Sequence, residues 1–296
     1  MSVTLLSDVQ DQVQKFWAPL FKDELLETAP LPALVNKEYE GVIKRGGDTA
    51  YVSMIRRPDA QRKTIGVDAD SFSSTKLETE RVGIVADQRI TAAVELEDMV
   101  DIQSQIGAPE GQSKLRQVLV EASMIELNKY LYSLVSPSPS SPDHILSGST
   151  TFDQAKLLEV RALASAAKWP SAGGWWLLLD PVYFNHILNA QTLVSSDFVG
   201  DDRPVVGGRV ATTRFGFNIL EDNSEGILQL SPTNAGQRCG LAFHPDFLYL
   251  VMGEPNFKLS DLHSNKRHGY LLSVDMWVGA KIGIEGALKH ISIYNV

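Results

Sequence analysis

Tyr39-Glu40-Gly41-Val42-Ile43-Lys44 and, past a glycine pair, Gly47-Asp48-Thr49-Ala50-Tyr51-Val52 open the stretch, 38 to 101, whose reading decides the fold. Gly46-Gly47-Asp48-Thr49 is a turn signal. Thr49 to Arg57 then reads as a strand, Pro58-Asp59 as a break, and the residues through Lys76 as a polar stretch. A last strand alternates cleanly: Ile90, Ala92, Val94 and Leu96 face one way, and Arg89, Thr91, Ala93 and Glu95 the other. Two long strand segments thus flank a basic, irregular tip. A projecting hairpin of this length cannot build its own core. Its apolar face needs a cover from elsewhere, and an intermolecular cover is the simplest.

Charge along the same stretch is segregated. Residues 44 to 63 carry Lys44, Arg45, Arg56, Arg57, Arg62 and Lys63 against Asp48 and Asp59. Residues 68 to 101 are acidic, with Glu95, Glu97, Asp98 and Asp101 at their end. A solvated hairpin of mixed charge is the plain reading. The sharper one is self-complementarity, in which the basic tip of one copy lies on the acidic patch of the next. Matching of this kind sets register and steers encounter more than it adds affinity.

Outward from the hairpin, residues 7 to 28 read as an amphipathic helix capped by Ser7, with Val9, Val13, Phe16, Trp17, Leu20 and Phe21 near one face and a break or kink at Pro19. The segment either docks on its own core or serves as an arm on a neighbour, with Phe16, Trp17 and Phe21 as its anchors. Ala29-Pro30-Leu31-Pro32 begins an extended connection. Gly107, Pro109 and Gly111 mark a loop. Ser113 to Val135 is the strongest helix, apolar nearly all round, with Lys114, Gln117, Glu121 and Asn128 as a narrow polar stripe. Such a helix is buried on most sides.

Ser136 to Pro142 is the best internal boundary. Thr151-Phe152-Asp153-Gln154 reads as a capping box opening a helix to about Lys168. Trp175 to Leu179 is a buried strand, and Asp180-Pro181 fits N-cap and N1 of a helix to about Asn189. Residues 205 to 223 are β-rich. The apolar run Phe247 to Met252 and the segments Tyr270 to Lys281 and Leu288 to Ile293 complete an α+β pattern.

Composition bounds the function. The chain has 296 residues, 44% hydrophobic and 21% charged, with a formal net charge of −9, so nonspecific nucleic-acid binding is not its expected main task. Cys239 is the single cysteine, which excludes an intrachain disulfide and a cysteine-based metal site. No apolar run approaches the roughly 20 residues that span a bilayer. No phosphate-cradling loop, nucleophile elbow or zinc-type His pair is present. Gly207-Gly208-Arg209 reads as a hairpin turn, and the histidines, His263 and His268 among them, lack metal-ligand spacing. No catalytic residue, cofactor or metal is expected.

The order of parts resembles the major capsid proteins of tailed bacteriophages, which share the Hong Kong-type shell fold. Tyr39 to Ile43 with Gly47 to Val52 is similar to the outgoing strand of that family's extended loop. Val85 to Arg89 followed by Val94 to Asp98 resembles the returning strand. Ser113 to Val135 resembles the spine helix, Trp176 to Pro181 with Tyr183 the strand-then-helix element of the axial domain, and Arg209-Val210 through Phe215-Gly216-Phe217 a later β element. Ala242 to Asp246 resembles a further strand entry. Thr212-Thr213-Arg214 and the Ser/Pro-rich linker depart from the family pattern.

The resemblance implies an α+β chain with an N-terminal arm (1–36), an extended loop with flanking strands (37–97), a peripheral domain around the spine helix (98–142), an axial domain (143–262) and final strands returning to both (263–296). It implies an icosahedral shell of hexamers and pentamers around double-stranded DNA, bound without sequence specificity. The protein would reside in the virion after assembly in the bacterial cytoplasm. Implied partners are further copies of the chain, a separate scaffolding protein, a portal and a decoration protein, with no membrane. Covalent crosslinking, known in some members, would use Lys44 or Lys63, but no partner Asn is signalled and it is not expected. Two other readings stand beside this one: a cellular compartment of the same fold holding protein cargo, and an α+β enzyme with an unrecognised site.

Overall fold

The computed structural model describes residues 29–39, 47–65, 74, 76–96, 109–135, 145–147, 151–190, 213–230, 238–261 and 269–294. The expected helix at 7–28, the 136–142 linker, Gly207-Gly208-Arg209, His263 and His268 lie outside them.

Two sheets share one long helix. The first sheet is built on β11 (Tyr270–Ile282), which pairs antiparallel with β3 (Gln88–Leu96) on one side. β10 (Asn256–Asp261) and β9 (Leu248–Met252) pair with successive parts of β11. The second sheet has six strands in the order β4, β12, β8, β5, β7, β6. These are β4 (Ile145–Ser147), β12 (His290–Tyr294), β8 (Cys239–Phe243), β5 (Trp175–Leu179), β7 (Phe217–Glu221) and β6 (Thr213–Arg214). β9 and β10 therefore pair with β11, not with the six-stranded sheet.

The shared helix is α2 (Pro109–Val135), four residues longer at its start than the sequence suggests. Proline at a first helical position loses only an N–H that would be unpaired anyway, so Pro109 starts the helix where a loop is expected. The first half of α2 lies on the four-stranded sheet, with Leu115 and Leu119 against Leu272 and Val274. The second half places Leu127, Leu131 and Tyr132 in a cluster with Leu178, Leu241 and Phe243 of the six-stranded sheet and Met276 and Val278 of β11. α1 (Leu31–Leu34) seals this core with Leu31. A short helix thus stands where an extended connection is expected, because Leu31 and Val35 need to point the same way.

The opposite face of the six-stranded sheet is covered by α3 (Gln154–Ala166) and α4 (Pro181–Asn189). Leu177 and Leu179 of β5 point into this second cluster while Leu178 points into the first, so the strand is buried on both faces and reads as one apolar run. Asp180 caps α4 by accepting from the Tyr183 N–H at 3.0 Å. Asp153, not Thr151, caps α3, accepting from the Lys156 N–H at 3.1 Å. Asp153 stands immediately before the first helical residue, the N-cap place, whereas Thr151 lies two positions further out.

α2 is less enclosed than the sequence suggests: Ala122 and Glu126 are exposed. Asn128, expected in the polar stripe, is buried and donates to Ser224 Oγ at 2.9 Å. This belongs to a polar joint between α2 and the loop after β7. Tyr132 donates to the fully buried Asp222 at 2.5 Å, and Asp222 also accepts from the Ser224 N–H at 2.8 Å. Burial, then the Asp222 charge, pushes the Tyr132 hydroxyl well above its ordinary pKa. Gly226 makes the approach possible, since a Cβ there would stand 2.8 Å from Tyr132 Cδ2.

Tyr132→Phe leaves the buried Asp222 short of one donor and should cost about 1–3 kcal/mol. Gly226→Ala, which forces the Tyr132 ring aside, should destabilise too, and the two changes should not add, because they disturb one joint. Denaturant midpoints of the two single variants and the double variant check this.

Candidate functional site

The hairpin is packed on one face and open on the other. β1 (Thr49–Ile55) pairs antiparallel with β2 (Thr79–Val85), Thr49 opposite Val85 and Ile55 opposite Thr79. Gly47 donating to Ala86 O and Arg56 donating to Glu78 O extend the ladder at either end. The returning strand of the hairpin is thus 79–85, and the alternating strand 88–96 leaves it to join β11. The expectation of one returning strand through Asp98 is corrected here. Ala86 and Asp87 separate the two strands, and the chain changes sheet at that point.

The two faces of the hairpin differ. On the inner face Ala50, Val52, Ile84 and Ala86 pack with Val251, beneath Tyr39 and Tyr249. The base of the hairpin is therefore covered within the chain, where an intermolecular cover is expected. On the outer face Tyr51 and Ile55 are 58% and 65% exposed, and Arg81 lies over the Tyr51 ring at 4.4 Å. Nearer the tip, Ile65 is 100% and Leu77 72% exposed. Chains do expose single apolar residues freely, but four large ones exposed on one hairpin mark a candidate contact surface.

The residues singled out as contacts fall in three groups. Arg56 is engaged within the hairpin, 2.5 Å from Glu80 across the strands. Both partners are about half exposed, so the pair is screened and fixes geometry more than stability. Arg57, Arg62 and Lys63 are exposed at the tip, and Glu95 is exposed on β3. Phe16, Trp17, Phe21, Lys44, Arg45, Glu97, Asp98 and Asp101 lie outside the described residues.

A second polar feature sits on the face of the four-stranded sheet turned away from α2. Asp275, buried on the central strand β11, accepts from Arg89 at 2.5 Å and from Thr91 Oγ1 at 2.8 Å, with Lys258 Nζ at 3.6 Å. Arg89 also lies over the Trp277 ring at 5.4 Å. One carboxylate thereby ties three strands together. The Arg89 hydrogen bond, helped by the Thr91 hydroxyl and the Lys258 charge, holds the Asp275 carboxyl below the usual carboxylate range against the effect of burial. Sequence reasoning missed this residue. The available signal is a lone Asp inside an otherwise apolar strand, with Arg89 and Thr91 on one face of β3.

No group of three or more His, Cys, Asp or Glu side chains able to hold a metal occurs among the described residues. Among them, too, no helix is long and apolar enough to cross a membrane.

No family model and no curated protein matches the sequence. Solved structures do match. A chain of the cyanophage Pam1 capsid asymmetric unit superimposes with a TM-score of 0.70 at 12% identity, over 96% of this chain and 96% of that one. A Mycobacterium phage Che8 structure gives 0.68 at 17% identity, over 95% and 96%. The capsid of cyanophage P-SCSP1u gives 0.67 at 14% identity, over 97% and 94%.

The lowered pKa of Asp275 has a pH consequence. A group whose folded pKa lies below its unfolded one gives stability that is complete above the ordinary range, about 4, and lost as pH falls through the folded value. Asp275→Asn should therefore lower stability at pH 7 and flatten its decline between about pH 5 and 3, as urea midpoints across that range would show. The fold of the chain is the α+β fold of the two cyanophage capsid structures, the one its sequence resemblance implies.

Proposed function

We propose that this chain is a major capsid subunit that assembles into an icosahedral shell of hexamers and pentamers enclosing double-stranded DNA. The observation that carries the reading is agreement of fold with phage capsid chains over nearly the whole length of both partners. The hairpin supports it independently, because exposed apolar side chains beside a basic tip suit a surface that another subunit covers.

In this reading α2 and the four-stranded sheet form the peripheral domain, and the six-stranded sheet with α3 and α4 the axial domain. Residues 1–36 form the N-terminal arm, with Phe16, Trp17 and Phe21 as its contacts. Lys44, Arg45, Arg57, Arg62 and Lys63 meet acidic residues of a neighbour, with Glu95, Glu97, Asp98 and Asp101 as the matching patch. Arg56 acts through Glu80 to hold the strands in register. The net charge of −9 suits a lining that does not trap a packaged genome. The protein resides in the virion, and a separate scaffolding protein, a portal and a decoration protein are its partners.

Electron microscopy of the purified protein, with nuclease-protected nucleic acid assayed on the same sample, tests the reading. Closed shells, or the tubes and spirals of unscaffolded assembly, are expected, with protected DNA in native particles. A monomer that never assembles, even with candidate scaffold present, would overturn it. Shells that hold protein cargo and no DNA would turn it toward a cellular compartment. Reversal of the tip charge, Arg62→Glu with Lys63→Glu, should slow assembly most at low salt. Assembly rates equal to the parent chain at every salt concentration would remove the charge-matching element.

A further inference from the structure

An open cleft separates the stem of the hairpin from the body of the molecule. Its hairpin wall is Met54 to Asp59 with Lys76 and Glu78, and among the described residues its body wall is Glu285 alone. Arg56, Arg57 and Lys76 thus line the hairpin side of this space together with Asp59 and Glu78, and Glu285 faces them from the body. The Arg56 guanidinium feels that carboxylate: its charged form is favoured first by Glu80, and further by Glu285 and Glu78.

Glu285 stands in a conformation that its residue type rarely adopts, with φ +59° and ψ +7°. It occupies the second inner position of a turn closed by Gly286 N–H to Gly283 O at 2.9 Å, a place that ordinarily takes Gly or Asn. Three described non-glycine residues have positive φ: Lys168, Phe215 and Glu285. Lys168 ends α3, where a left-handed residue is usual, and Phe215 precedes Gly216 in the tight link between β6 and β7. Glu285 has no such local return, for its exposed side chain makes no capping hydrogen bond to the short 3₁₀ segment that follows. A strained position occupied by a side chain with no local role points to a role elsewhere.

The turn is also fixed firmly to the body. A Cβ on Gly286 would stand 2.2 Å from Phe247 O, and one on Gly283 2.4 Å from Tyr249 Cε2. The backbone therefore lies flat on β9 and its approach, and the place of the Glu285 carboxylate is set by the core rather than by a loose loop.

We propose that Glu285 is an electrostatic stop for the hairpin, holding the stem cations Arg56, Arg57 and Lys76 toward the body and setting the angle at which it projects. The stop acts within one chain and holds for an isolated subunit, so it stands or falls apart from the shell reading. Within that reading it orients the hairpin before a neighbour engages it.

The test uses the dispersed full chain with spin labels at Ala60→Cys near the tip and Val182→Cys on α4, while Cys239 stays buried. Pulsed distance measurement should give one narrow distribution at low salt. Glu285→Gln, Glu285→Arg and molar salt should each cost that narrowness, and Arg57→Glu placed on Glu285→Arg should restore it. Glu285→Gly separates loosening from unfolding: it relieves the strained turn, so the melting temperature should rise by roughly 2–4 °C while the distribution broadens. Distances unchanged in Glu285→Gln and Glu285→Arg, a charge swap without rescue, or a lower melting temperature for Glu285→Gly would each overturn the proposal.

Discussion

The burial of α2 is the constraint on which the other parts depend. One helix of 27 residues supplies the apolar wall for two sheets, Leu115 and Leu119 serving the first and Leu127 and Leu131 the second. Among the described residues, α1 and the segment 225–230 add to that cover, but neither spans both sheets. The two sheets cannot shift independently without opening a cavity, which is costly in a close-packed interior. Hydrophobic contact alone would permit sliding along the helix. The polar joint of Asn128, Tyr132, Asp222 and Ser224 removes that freedom, because buried polar groups tolerate one geometry.

Against this rigid body the hairpin is built on the opposite rule. Only its base is packed, on Val251 and beneath Tyr249. Beyond that point its strands are held by backbone pairing and by exposed contacts such as Arg56–Glu80 and Arg81 over Tyr51, which are worth little in water. A two-stranded ribbon is marginal without a third partner. The stem thus keeps exposed apolar side chains on its outer face, a basic tip and weak internal restraint, the properties of an element whose final environment comes from another molecule.

The sequence made legible what burial writes into it. β5 reads as a continuous apolar run because both its faces are covered, and Asp180-Pro181 announces α4 through chemistry that needs no tertiary context. β3 shows its alternation because α2 covers one side of it. Elements that bury little left no such trace. β2, Thr-Glu-Arg-Val-Gly-Ile-Val, has one face open to solvent and follows the polar stretch through Lys76 without a clear strand pattern of its own. β10 is exposed throughout as an edge strand and gave no pattern at all. The burial of Asn128 is not legible because a polar residue on a helix is ordinarily solvent-facing, and its partner Ser224 is 96 residues away. The candidate site divides the same way. The basic tip was legible as charge, whereas Asp275 and Glu285 depend on strand pairing and backbone conformation that no local pattern encodes.

The central claim is that the outer face of the hairpin is covered by another copy of the chain. Hydroxyl-radical footprinting of dispersed subunits and of assembled particles measures that cover directly at Tyr51, Ile55, Ile65 and Leu77. The account predicts strong reactivity in the dispersed subunit and marked protection on assembly, with buried Phe243 and Phe247 unreactive in both. Equal reactivity of the four residues in subunits and in particles would contradict it.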